Sequence, residues 1–129
     1  MRLSQLAPQT FDLELVTPTG VDTGVVLKLV GMDSAQFMSG MKKLAQAKQQ
    51  ADASKKTLSI DQLTRLNAET LASCIVGWTG LEDEAGATLS YSNEKALEIL
   101  LNPEYNWIRE AIDGAVESRQ NFFRHNDQA

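Results

Sequence analysis

At 129 residues, with 43% hydrophobic and 22% charged side chains, the chain has the size and composition of one globular domain, long enough to bury about two-thirds of its unfolded surface without staples. Its net charge of −5 argues against nucleic acid as a partner, because phosphate binding needs a clustered basic surface. The single cysteine, Cys74, excludes an internal disulfide, no run reaches the roughly 20 apolar residues of a membrane span, and the N-terminus lacks an apolar signal segment. The expectation is a soluble protein made in a reducing cytoplasm, without a membrane partner.

Residues 1–10 read as a loose arm. Phe11 to Val16 alternates apolar and acidic side chains, the pattern of a half-buried strand. Thr17 to Gly24 holds Pro18, Gly20, Asp22 and Gly24, a turn region, and Val25 to Val30 reads as a second strand with Lys28 outward. The two predict a β-hairpin over 11–30. A lone hairpin is marginal in water, so this one must pack on helices or pair with another chain.

A first helix is predicted over 33–56, opened by Asp33 or Ser34. Phe37, Met38, Met41, Leu44, Ala45 and Lys48 form its stripe, and the stretch after Lys48 turns polar. Ser59 and Gln62 make a capping box before a second helix over 59–78, with Leu63, Leu66, Thr70, Cys74 and Trp78 on one face. Ser92 opens a third helix over 92–101, with Ala96, Leu97 and Leu100 buried. Asn102-Pro103 opens a fourth over 103–123, whose long stripe is Trp107, Ile108, Ala111, Ile112, Ala115, Arg119 and Phe122 or Phe123. Residues 124–129 read as a fraying tail. The fold class is α+β, a single domain (1–129) with an N-terminal β-hairpin packed on a bundle of about four helices. Trp78 and Trp107 are expected in the core.

No catalytic constellation emerges. Glu82, Asp83, Glu84 and Gly86 suggest a calcium loop, but aligning Gly86 at the turn position puts Leu81, Ala85 and Ser92 where oxygen ligands are required. A solvated acidic turn is the better reading. The glycine pairs lack the Lys-Ser/Thr of a phosphate loop. The one histidine, His125, stands in the polar tail, far from any Ser/His/Asp set, and is no base for Cys74. Asp12 and Glu14 share a strand face and read as solvated carboxylates. Phe37, Met38 and Met41 form a small methionine-bearing stripe with two open readings, ordinary core against the hairpin or a surface that repacks around varied apolar partners. The chain is therefore read as a non-enzymatic interaction module with no cofactor and no metal.

The stretch Gly77 to Leu101, G-W-T-G-L-E-D-E-A-G-A-T-L-S-Y-S-N-E-K-A-L-E-I-L-L, resembles the tail assembly chaperones of long-tailed bacteriophages and prophages. There a Trp-bearing turn, an acidic Gly loop, a hydrophobic–x–aromatic–Ser element (here Leu89-Ser90-Tyr91-Ser92) and a short helix follow in this order, and a last helix ends near Asn-Phe, here Asn121-Phe122. Pro18 to Ser34 is similar to the hairpin and Asp-Ser helix start of the same proteins. The resemblance spans roughly residues 11–123, apart from Gln49 to Lys56.

The resemblance implies a chaperone that coats the long helical tape measure protein in the host cytoplasm before the tail tube forms and is absent from the mature virion. It also implies weak homo-oligomers along that client. In many phages a frameshifted longer form recruits the major tail protein. Phe37, Met38 and Met41 are the candidate contact residues. The alternative is a structural virion component, such as a head–tail connector or tail-completion protein.

Overall fold

The computed structural model describes residues 1–123. It is α+β, with strands β1 (Phe11–Val16) and β2 (Asp22–Leu29), helices α1 (Ala35–Ala53) and α2 (Ile60–Cys74), strand β3 (Ile75–Thr79), and helices α3 (Asn93–Leu101) and α4 (Asn106–Glu117). The expected tail and His125 lie outside the described residues.

The expected hairpin forms, with Phe11 opposite Leu29 and Leu13 opposite Leu27, and Gly20 turns it with φ +91. It gains a third strand in a stretch where the apolar periodicity predicts helix. The second helix ends at Cys74, not at 78, and Ile75–Thr79 pairs antiparallel with β2 in the order β1-β2-β3. The reason is local and tertiary at once. I-V-G-W-T combines β-branched and aromatic residues with a glycine, a poor helical sequence, and β2 offers a free ladder edge for it. The Val30 N–H donates to the Cys74 carbonyl at 2.8 Å, so pairing begins at the last helical residue. Trp78 thus stands on β3 opposite Leu27, not on a helix.

The inner sheet face carries Leu15, Val25, Leu27, Leu29 and Ile75 against Leu71, Ala96, Leu100, Ile112 and Val116 from α2, α3 and α4. Trp78 and Trp107 are half-buried against this cluster.

The fourth helix is shorter than expected. Pro103–Tyr105 forms a 3-10 turn capped by Asn102, α4 runs only to Glu117, and a second 3-10 turn spans Arg119–Phe122. Ser118 leaves the helical region (φ −86, ψ 87), which swings Phe122 into the core. Its ring meets Phe11 edge-on at 5.9 Å and lies on Gly31, where an added Cβ would stand 2.5 to 2.8 Å from the ring carbons. The Phe122 carbonyl accepts the Gln9 N–H at 2.6 Å, tying down the N-terminal arm. Asp33 receives a forked contact from Arg119 at 2.7 and 3.1 Å.

Helix α1 starts at Ser34, whose hydroxyl accepts the Phe37 N–H. Its inward stripe differs from the expected one. Phe37, Gly40, Leu44, Ala47 and Ala51 are buried or half-buried, while Met38, Met41, Ala45 and Lys48 face out. Gly40 sets that rotation by lying directly against the Thr70 side chain, where a Cβ has no room. Thr70 is buried and β-branched, so it cannot give way easily. Gly40→Val is expected to lift α1 while the body stays folded, because α1 packs on α2 and only marginally elsewhere. An overpacking cost of about 1–3 kcal/mol corresponds to roughly 5- to 150-fold faster amide exchange across α1. Unchanged exchange there would contradict this account of the crossing.

Candidate functional site

Helix α1 and the N-terminal half of α2 form an arm that stands out from the rest of the molecule. Only the C-terminal half of α2 is deeply buried, through Ala68, Leu71, Ala72 and Cys74; its N-terminal half and most of α1 are open. Met38 (52% exposed), Met41 (43%), Ile60 (82%) and Leu63 leave much of their apolar surface in water. Phe37 is half-buried against the core, so of the three candidate contact residues only Met38 and Met41 are exposed, each with about half of its surface outward.

Charge marks the same arm. Between residues 35 and 66 stand Lys42, Lys43, Lys48, Lys55, Lys56 and Arg65, with only Asp52 and Asp61 against them, although the whole chain is acidic. All six cations are exposed. Among the described residues the ion pairs are Lys95–Glu98 and Arg119–Asp33, and neither involves this arm. The overall charge of −5 had hidden this segregation; counting charge per element would have found it.

The hairpin turn adds a second signal. Lys55 occupies the left-handed region (φ 56). The Lys56 N–H bonds the Ala51 carbonyl at 2.7 Å and the Lys55 N–H bonds the Asp52 carbonyl at 3.0 Å, the two hydrogen bonds of a Schellman cap. Glycine usually fills that position, and a residue with a Cβ pays roughly 1 kcal/mol there. A lysine stands at the tip against that backbone preference.

A groove of about 350 Å³ runs along the α1–α2 crossing, lined by small residues with Lys43 and Glu69 at its rim. Two of its three hydroxyls are committed to backbone, Ser73 donating to Thr70 at 2.7 Å and Thr70 to Leu66 at 3.0 Å, and Ser39 is the third. That arrangement suits contact with another helix rather than chemistry on a small molecule.

The other candidate groups have structural roles. In the acidic loop the Asp83 carboxylate accepts the Ala85 and Ala87 N–H groups at 2.9 and 3.0 Å, and Gly86 takes φ +84, which closes a tight turn flanked by a Glu82–Thr88 bridge. Past the loop, Leu89 accepts the Trp78 indole N–H at 2.8 Å, and the Tyr91 hydroxyl donates to the Ile75 carbonyl. The loop therefore braces β3. Cys74 is fully buried, and desolvation pushes its thiol up to about 11, so it stays protonated at neutral pH. Asp12 and Glu14 lie on the open sheet face, Asp12 across from Lys28.

Fold and surface together define a small α+β protein whose distinctive chemistry is a basic, partly apolar helical arm. The family model of the YdaY prophage protein matches residues 32–129, and the chain belongs to that family. It is a phage or prophage protein. The matched region opens just before α1 and leaves β1 and β2 outside. No curated protein and no solved structure matches the chain.

Proposed function

We infer that this prophage protein is a non-enzymatic tail assembly chaperone, which holds the tape measure protein soluble in the host cytoplasm during tail morphogenesis and leaves before the virion is complete. The observation that carries the reading is the exposure of Met38 and Met41 on a helix attached to the body mainly through α2. A long helical client presents apolar stripes whose composition changes along its length, and methionines repack against such a surface. A helix laid beside α1 would cover exposed apolar area on both partners, the helix-in-groove mode of recognition. Several copies would line one client, held by weak self-association. Recruitment of the major tail protein by a frameshifted longer form belongs to the same reading.

Co-expression with the tape measure protein of the same prophage tests this. The parent should raise the client's soluble fraction severalfold. Met38→Glu with Met41→Glu should abolish that gain while circular dichroism stays parental, because both side chains lie on the solvent side of α1 with about half of their surface in water. A folded double variant that still co-purifies at parental yield would exclude this contact surface. A parent without effect on client solubility, or one retained in purified particles, would exclude the chaperone role.

A further inference from the structure

The basic arm has its electrostatic complement on the same molecule, where the arm cannot use it. Fifteen of the seventeen acidic residues lie outside residues 35–66. On α4, Glu110, Asp113 and Glu117 follow at helical spacing along one face with Gly114 between them. A Cβ on Gly114 would meet nothing within 4 Å, so this ridge is low and open to an approaching chain. Among the described residues none of these three carboxylates is ion-paired, and neither are the arm's lysines. Nor does α1 make more than marginal contact with any element besides α2.

We propose that the lysine-bearing tip of the α1–α2 hairpin, Lys48, Lys55 and Lys56, docks on the α4 carboxylate face of a second copy of this chain. The left-handed lysine at position 55 supports it, since that position keeps a positive charge where the backbone favours glycine. The contact is heterologous, tip to α4, so a pair leaves one free face at one end and one free tip at the other, and further copies add in an open row. Met38 and Met41 lie toward the N-terminal end of α1, so a row joined through the tips leaves them free for a client. The interface deepens the self-association in the proposed function and rests on that part of it alone. It also sets a salt dependence, because exposed charges are screened over about 3 Å at 1 M salt against about 10 Å at 0.1 M.

Sedimentation of two charge-reversed variants decides the matter. One carries Lys48→Glu, Lys55→Glu and Lys56→Glu; the other Glu110→Lys, Asp113→Lys and Glu117→Lys. Parent protein should associate with rising concentration at low salt and return to monomer mass in about 1 M salt. Each variant alone, with a parental circular dichroism spectrum, should lose association. Mixed in equal amounts they should regain it, since each then offers the charge that the other needs. A parent that stays monomeric at low salt overturns the proposal, as does a variant that self-associates like the parent, or a mixture of two folded variants that stays monomeric. Client solubility, measured in parallel, separates the readings. A monomeric parent that still solubilises the tape measure protein removes the interface and keeps the chaperone; an associating parent that does not solubilise it does the reverse.

Discussion

Phe122→Ala should destabilise the protein by about 3–5 kcal/mol, the range for deleting a buried aromatic ring, and lower its melting temperature by more than about 10 °C. Phe122 is fully buried close to the end of the described chain, and several parts of the molecule converge on it. Its ring fills the space over Gly31, meets Phe11 edge-on, and lies at the junction where β2 hands over to α1. Removing it leaves a cavity bordered by β1 and by the segment that leads into the arm. The nearby Arg119–Asp33 fork cannot compensate, because both side chains are partly in water and exposed ion pairs contribute about 1 kcal/mol or less. Differential scanning calorimetry checks this. A variant melting within a degree or two of the parent would mean that the C-terminal turn is not part of the cooperative core.

Trp78→Ala should be of similar size, about 3–5 kcal/mol, with a distinct local signature. Trp78 is half-buried, yet it joins three parts of the fold. It stands opposite Leu27 in the sheet, its indole N–H donates to Leu89, and its ring meets Tyr91 edge-on at 5.0 Å with the planes 83° apart. Such an aromatic pair adds roughly 0.5–1.5 kcal/mol beyond buried area. Trp78→Phe separates the contributions, since it keeps a ring in place and deletes only the donor, at about 1 kcal/mol. In both variants amide exchange in residues 80–91 should rise more than exchange in α4, because the indole anchors that loop to β3. Equal melting of Trp78→Ala and parent, or an unchanged loop, would refute this role.

Much of the architecture was legible in the linear chain, and for physical reasons that act locally. Alternating side chains from Phe11 to Val16 mark a strand with one buried face. Ser34, Ser59, Ser92 and Asn102 mark helix and turn starts because their side-chain oxygens satisfy backbone donors that lack partners, and each accepts such a bond. The α+β class follows from these elements, and the stripes of the third and fourth helices correctly placed Ala96, Leu100, Ile112 and Ala115 in the core.

What the chain could not settle locally was decided by contacts between distant segments. Ile75–Thr79 continues the apolar stripe of α2, so periodicity extends the helix; its weak helical propensity leaves the choice open, and the free edge of β2, more than forty residues earlier, decides it as a strand. The facing of α1 was misjudged because its deepest contact is Gly40, which contributes nothing to a hydrophobic pattern yet allows the closest approach to Thr70. Phe122 leaves the helical path because the space over Gly31 exists only once sheet and helices have met. The candidate surface divides in the same way. The methionines and lysines are plain in the sequence, but a stripe that could face either core or solvent becomes an exposed, basic arm only when α1 docks mainly on α2. Helical periodicity says which residues share a face; the tertiary neighbours say which face is left to water.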